Sequence, residues 1–392
     1  MKSWHIISSK YPPQRGGIGF HTAHIASGLR KKGYKVHIWT SISPLKPSPS
    51  SSDNQNLAVT IEEKSGIIVH RVANQWDDAT FSKIGKKISE IGGVLFLQYR
   101  PESFGSYWNY SVARFFERAK KEGVETRVLI HEPFSVPDFK FFKPKTWFAA
   151  FHQYFTLRKI LLHSEKAYVT TSNWRRYLKP FAKTKSILTL PVPSNLQSIA
   201  EAQKARNLRK AFGSDAKVLV GTYSSFKEPE VLSILSNVVV KLLKKHKDWV
   251  WLALGRHSEE FAESLKDLYP EVSSRVQTSG EIDPQALSAN LQACDIIFQP
   301  YHLGVNTRRT SVMAALFHAM PTVTSQGIRT EFIWKETRCV KMVEWDNEDG
   351  YIKEIESLAR NFQLRHELSQ AARLAYETCF SLEHNIRLLT SE

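Results

Sequence analysis

The chain has 392 residues, 42% of them hydrophobic and 23% charged, which suits two or more ordinary domains and excludes a disordered, collagenous or coiled-coil chain. Three scattered cysteines, Cys294, Cys339 and Cys379, exclude a disulfide framework or a closed zinc site, and no run reaches the roughly 18 apolar residues of a membrane span or the pattern of a signal peptide; a cytoplasmic protein, soluble or peripheral on a membrane, is expected. The formal charge of +16 lies wholly in the first half, where residues 1–195 carry 30 basic and 13 acidic side chains against 24 and 25 in the remainder, so an anionic partner such as phospholipid head groups, a phosphorylated substrate or nucleic acid is favoured.

In chain order, Trp4–Ile7 reads as a strand, Phe20 to Lys32 as an amphipathic helix closed by Gly33, and Val36–Thr40 as a second strand, together a βαβ unit. The Pro/Ser-rich Ser41–Ser52 reads as a mobile loop, and Leu57–Ile61 with Ile67–Val72 as a hairpin turned at Lys64-Ser65-Gly66. Strand-like runs follow at Val94–Tyr99, Arg127–His131, Tyr168–Thr171 and Ile187–Leu190, with Tyr107–Lys121 at helical spacing among them. Pro191-Val192-Pro193 and the polar Ser194–Lys210 mark a connection and a helix. The alternation then restarts, from Lys217–Tyr223 and Glu230–Lys245 through Asp295–Tyr301 and Thr307–His318 to Val340–Val343. The expected class is α/β, two doubly wound Rossmann-like lobes whose facing strand ends leave a cleft for ligands.

At the first strand-to-helix junction, Arg15-Gly16-Gly17-Ile18-Gly19 lets the backbone approach a ligand, and the helix behind it offers free N–H groups, a cradle for a phosphate or a sugar hydroxyl. It is neither a dinucleotide fingerprint nor a P-loop, and a tight-packing turn would read the same way. Further along stand Ile130-His131-Glu132 at a strand end, Thr171-Ser172-Asn173 opening a helix, Gly221 with Lys227 six residues on, and Ser279-Gly280-Glu281-Ile282. Asp295-Ile296-Ile297-Phe298-Gln299-Pro300, Met320-Pro321-Thr322-Val323 and Phe380-Ser381-Leu382-Glu383 complete the series.

Taken in order, these motifs resemble the family-4 type retaining glycosyltransferases of the GT-B fold over nearly the whole chain. The resemblance implies an acceptor-binding domain at 1–193, a nucleotide-sugar-binding domain at 194–378, and a C-terminal helix at 379–392 crossing back to the first. It implies no cofactor and no metal, a nucleoside-diphosphate sugar as donor, and a glycan, lipid-linked or other cell-envelope acceptor. Lysine and arginine must then neutralise the leaving diphosphate. Lys227 occupies the place of the family's phosphate-contacting lysine, His131 that of a histidine beside the transferred sugar, and Ile282 that of the residue whose backbone pairs with the base.

Two departures stand out. The companion arginine after the glycine is Thr222, and the paired glutamates eight residues apart are Asn306 and Ala314. The same loop instead offers Asn306-Thr307-Arg308-Arg309-Thr310-Ser311 at a helix start, two guanidinium groups and two hydroxyls suited to a diphosphate. Arg308 or Arg309 is expected to replace the charge missing at Thr222. His131, Lys227 and Arg308 are the catalytic candidates; Gly16, Gly17, Thr222, Lys227, Ile282, Asn306, Arg308, Arg309, Thr310 and Ser311 are the donor-binding ones.

The basic aromatic segment from Phe139 to Phe148 precedes a helix whose Phe148, Phe151, Phe155 and Leu162 fall on one stripe. The stripe is expected in the core of the first lobe, and the entry segment at an anionic membrane. Arg15, Lys140, Lys143, Lys145 and Trp147 are the acceptor or membrane candidates. Two other readings remain: a non-catalytic sugar- or nucleotide-binding relative, motivated by the missing glutamates, and a basic nucleic-acid binder, for which no module signature is present.

Overall fold

The structure, a computed structural model, describes residues 2–14, 16–42, 60–64, 66–73, 75–105, 110–134, 144–182, 186–196, 198–213 and 216–391. The chain divides into two compact units, Met1–Pro191 with Asn385–Glu392, and Val192–His384. The divisions thus fall at 191/192 and 384/385, where 193/194 and 378/379 were expected.

Unit 1 runs β1 (Ser3–Ile7), α1 (Gly17–Lys31), β2 (Lys35–Ser41), β3 (Thr60–Lys64), β4 (Ile67–Ala73), α2 (Asp78–Ile91), β5 (Val94–Tyr99), α3 (Ser111–Lys121), β6 (Glu125–Ile130), α4 (Pro144–His163), β7 (Lys166–Val169), α5 (Arg175–Ala182) and β8 (Ile187–Thr189). The sheet order is β3-β4-β2-β1-β5-β6-β7-β8, parallel except for β3, which is antiparallel to β4. The hairpin is therefore present, with its first strand at Thr60–Lys64 and not at Leu57–Ile61. The loop read at Ser41–Ser52 lies, from residue 43 on, outside the described residues. Every residue of β1 and β5 is buried, so these strands do not alternate between apolar and polar, although they include Ser3, His5 and Gln98.

Three of those buried positions are histidines. His5, His37 and His70, on β1, β2 and β4, stack in series with ring centroids 4.9 and 5.3 Å apart, and Trp39 covers His70 at 4.0 Å. Trp39 Nε1 donates to His5 Nδ1 at 3.3 Å, and His5 Nε2 reaches the Gly92 carbonyl at 3.1 Å. With its Nδ1 already accepting, His5 has no room for a second proton. Burial lowers all three, His5 and His70 to about 4.

Unit 2 runs α6 (Ala202–Gly213), β9 (Val218–Tyr223), α7 (Pro229–Lys245), β10 (Trp249–Leu254), α8 (Ser258–Leu268), β11 (Val276–Thr278), α9 (Pro284–Ala293), β12 (Ile296–Gln299), α10 (Thr310–Phe317), β13 (Thr322–Gln326), α11 (Phe332–Thr337), β14 (Lys341–Glu344), α12 (Glu348–Arg360) and α13 (Phe362–Ala375). Its six parallel strands are ordered β11-β10-β9-β12-β13-β14. Chain progression reverses between β9 and β12, the place where a doubly wound sheet opens a crevice at its strand ends. Gly221, inside β9, serves packing: a Cβ there would lie 2.5 Å from Cys294 Sγ. A final helix, α14 (Leu382–Thr390), begins in unit 2, and its residues from Asn385 belong to unit 1. There Asn385 donates to the Pro191 carbonyl at 2.7 Å and Arg127 of β6 to the Leu389 carbonyl.

The aromatic stripe of α4 corrects the expectation. Phe148 and Phe151 are 61% exposed, with Phe155 and Leu162 at 38%. The opposite arc, Ala149, Gln153, Leu157, Ile160 and Leu161, is buried. Both arcs are largely apolar at helical spacing, and the packing of one arc against α3, α5 and β6 decides which is covered.

Candidate functional site

In unit 2 the loops at the carboxyl ends of β9, β10, β11 and β12 enclose a cavity of about 480 Å³. After β9 come Tyr223 to Glu228, after β10 Gly255 and Arg256, after β11 Glu281 and Ile282, and after β12 Pro300 and Tyr301 with Arg308 to Ser311 at the start of α10. The topological switch between β9 and β12 thus brings Lys227 together with Arg308, Arg309, Thr310 and Ser311, residues some eighty positions apart in the chain. Four cationic side chains line the cavity with two carboxylates, Glu228 and Glu281, a balance that suits an anionic ligand.

The cations differ in how they are held. The Arg309 guanidinium lies 4.8 Å from the centre of the Tyr301 ring and 3.3 Å from Glu228 Oε1, so both stacking and charge aim it. Arg256 pairs with Glu281 at 3.1 Å. Lys227 is exposed and makes no ion pair among the described residues. The backbone around it is unusual: Phe226 has φ 48°, a conformation a bulky residue adopts only when its surroundings impose it. The Phe226 ring supplies the restraint: it is buried in the cavity wall and stacked on Phe261 at 5.4 Å.

The arginine loop is pinned from beneath. Glu331, 3% exposed, accepts from both the backbone N–H and the hydroxyl of Thr307, at 2.5 and 3.0 Å. The Thr307 carbonyl in turn accepts from the Val192 N–H at 2.9 Å. Asn306 uses its Oδ1 on the Arg308 N–H at 3.1 Å, which forms a turn and delays the helix to Thr310, three residues beyond the expected start. Tyr301 ties the first turn of α10 to β12: its hydroxyl shares a 2.8 Å hydrogen bond with Ser311 Oγ and accepts from the Val312 N–H at 3.0 Å. Burial pushes the Tyr301 and Tyr223 hydroxyls up, keeping both neutral.

Two donor-site expectations are corrected. Thr222 does not line the cavity; it is buried, donating to the Phe298 carbonyl at 2.9 Å and accepting from Trp251 Nε1 at 3.0 Å. Asn306 also stays off the cavity wall, its side chain spent on the turn. Lys227, Ile282, Arg308, Arg309, Thr310 and Ser311 do line it. Tyr301, Tyr223 and Glu331 were not singled out from sequence, because a lone tyrosine or glutamate carries no motif and acts here through contacts across the fold.

In unit 1, Gly16 and Gly17 follow β1, Gln98 lies in β5 and His131 follows β6, all at the carboxyl edge of adjacent strands. His131, 5% exposed, shares a 2.8 Å hydrogen bond between its Nε2 and Gln98 Oε1. Its ring meets His21 of α1 edge to face at 5.3 Å, and its carbonyl accepts from Trp174 Nε1 at 3.1 Å. Burial lowers His21 to about 4, so it is neutral near pH 7. A Cβ on Gly17 would meet no atom within 4 Å; protein packing does not require a glycine there, and the space in front of it is open. Arg15, Lys140 and Lys143 lie outside the described residues, and for Lys145 and Trp147, in the first turn of α4, only the backbone is described. Among the described residues no group of three or more His, Cys, Asp or Glu side chains gathers in a metal-binding arrangement.

No protein-family model matches the sequence, and no curated protein matches it either. Solved structures do. A sucrose-phosphate synthase from Thermosynechococcus elongatus superposes with a TM-score of 0.69 at 14% identity, covering 99% of this chain and 97% of that one. HepE of Anabaena in complex with UDP gives 0.68 at 12% identity, over 99% and 98%. An α,α-trehalose-phosphate synthase (UDP-forming) from Burkholderia vietnamiensis gives 0.67 at 11% identity, over 99% and 96%. At these identities the likeness establishes the fold, which is GT-B.

Proposed function

We propose that the protein is a glycosyltransferase that moves a hexosyl group from a nucleoside-diphosphate sugar to an acceptor, with retention of anomeric configuration. The observation that carries this reading is the cation-rich cavity at the β9/β12 switch, built on a fold whose solved relatives include a UDP complex and a UDP-forming synthase. Lys227, Arg308 and Arg309, with the free N–H groups at the start of α10, neutralise the diphosphate, and the backbone of Ile282 pairs with the base. Because Thr222 is sealed in the core, the arginine loop supplies the charge that an arginine at that position would have brought. Stabilising the departing diphosphate is the main catalytic task, since negative charge grows there as the glycosyl bond breaks. The leaving phosphate takes the proton of the incoming acceptor hydroxyl, so the step requires no protein base. On unit 1, the role proposed for His131 is a hydrogen bond to a hydroxyl of the transferred sugar, its ring steadied by Gln98 and His21. The proposed acceptor is a glycan or a lipid-linked molecule of the cell envelope, met on the cytoplasmic side.

The test is a thermal-shift and calorimetric screen of purified protein against a panel of nucleoside-diphosphate sugars, followed by NMR of the anomeric proton of the sugar transferred or freed from any donor that binds. A donor that binds the folded state raises its melting temperature by mass action. Retained configuration on transfer or slow hydrolysis supports the proposal; absence of binding by every nucleoside diphosphate defeats it. A second reading, binding without transfer, is favoured by Asn306 and Ala314, the first spent on its turn and the second buried in an apolar cluster. Turnover of any donor removes that reading.

A further inference from the structure

The outward arc of α4 is apolar although α3, α5 and β6 already cover the inward one. Phe148, Phe151, Phe155 and Leu162 recur at helical spacing with Tyr154 at their flank, all more than a third exposed. The rings pack on one another on the surface, Phe151 on Phe155 at 4.7 Å and Tyr154 on Phe155 at 5.4 Å. A contiguous aromatic patch of this kind on a folded protein marks an interaction site. The adjoining helix α5 is joined to it through the Tyr154 and Phe181 rings, 4.4 Å apart, and carries exposed Arg175, Arg176 and Lys179. Neither α4 nor α5 contains an aspartate or a glutamate in its 20 and 8 residues. No helix among the described residues is long and apolar enough to cross a membrane.

We propose that the outward faces of α4 and α5 dock on an anionic phospholipid membrane, the aromatic arc entering the head-group and acyl boundary while the arginines and lysine meet lipid phosphates. Aromatic and aliphatic side chains on one face beside a cationic, acid-free one are the chemistry of an interfacial helix. A protein partner or a second copy would bury the aromatics equally well. Neither accounts for a cationic flank with no carboxylate in either helix, and the +17 carried by residues 1–195 extends the same preference. The inference concerns α4 and α5 alone and does not depend on which donor, if any, unit 2 holds.

Flotation of the full-length protein with vesicles of phosphatidylcholine alone, or of phosphatidylcholine with phosphatidylglycerol, tests it. Binding is expected only to the anionic vesicles, with release at high salt as the head-group charge is screened. The double variant Phe151→Ser/Phe155→Ser and the charge-reversed Arg175→Glu/Arg176→Glu should each lower the partition coefficient on the order of tenfold or more. If either variant fails to fold, hydrogen exchange on the wild-type protein decides: vesicles should protect α4 and α5 above all other helices. Equal partition of wild type and the serine variant, protection elsewhere, or failure of the wild type to float overturns the proposal. So does a concentration-dependent dimer abolished by the serine substitutions without any vesicle binding, which would assign the face to a second copy.

Discussion

Arg309 is held from two sides, by the face of Tyr301 and by Glu228 3.3 Å away, and a bound diphosphate would take the place of the carboxylate. Arg309→Ala should therefore weaken binding of whichever nucleoside diphosphate the donor screen identifies by about 10- to 100-fold, the worth of one or two charge-assisted hydrogen bonds. Glu228→Gln, which removes the competing charge, should tighten binding by a few-fold. Calorimetric titration reads both, and a Glu228→Gln variant weakened to the level of Arg309→Ala would mean that the carboxylate orients the guanidinium more than it competes with the ligand. Glu331 acts one layer lower. Removing it takes the shared acceptor away from the Thr307 N–H and hydroxyl in a buried place, so Glu331→Ala should cost roughly 1–3 kcal/mol in urea unfolding and lower nucleoside-diphosphate affinity as the loop loosens. A stability loss with undiminished affinity would show that the loop keeps its shape without this anchor. At this scale the sequence revealed the charged residues, because two arginines beside two hydroxyls at a helix start are a local pattern. It did not reveal their supports: nothing near Glu331 in the chain points to Thr307, and only the fold joins them.

Strands and helices carry a second kind of constraint. Gly221→Ala would drive a Cβ to 2.5 Å from Cys294 Sγ and 3.1 Å from Ile297 Cδ1, an overpacking that should cost roughly 1–3 kcal/mol. Adding Cys294→Ala should restore part of the loss in the same denaturation assay, and no recovery would place the strain elsewhere. The three stacked histidines of β1, β2 and β4 impose a pH limit. They stay neutral in the folded sheet, while in the unfolded chain each takes up a proton near pH 6.5. The unfolded state therefore binds more protons as pH falls, and the stability present above about 6.5 should drain away between 6.5 and about 4. For His5 and His70 a loss on the order of 3 kcal/mol each is expected. His70→Gln should flatten that slope relative to wild type in urea melts at stepped pH; an identical slope would mean the array does not govern it. The elements themselves were largely readable, since the buried parallel strands are rich in apolar residues and α1, α2 and α3 stop within two residues of Gly33, Gly92 and Gly123. The face a helix presents inward was not: α4 has two apolar arcs, and periodicity ranks neither above the other.

The last turns of the chain show what joins distant sequence at the scale of the molecule. Residues from Asn385 belong to unit 1, where Asn385 is fully buried against the Pro191 carbonyl and Arg127, 5% exposed, donates to the Leu389 carbonyl. Asn385→Ala should cost roughly 1–3 kcal/mol in unit 1, and truncation after His384 should cost more, because the buried Arg127 Nη1 then loses the Leu389 carbonyl, while the rest of the guanidinium keeps Glu125. Limited proteolysis of the truncated protein should open unit 1 first; an unchanged digestion pattern would show that these residues do not stabilise it.

By itself the sequence determined the α/β class, the alternation of strands and helices, the two-unit organisation and the charge imbalance, since each follows from local composition and hydrophobic period. Tertiary structure decided the rest. Strand order placed the β9 and β12 loops side by side and so gathered Lys227 with Arg308 and Arg309. Packing sealed Thr222 in the core, and the neighbouring α3, α5 and β6 selected which arc of α4 faces water. Each of these depends on contacts between residues far apart in the chain, and a local pattern of side chains contains no information about which distant segment will lie against it.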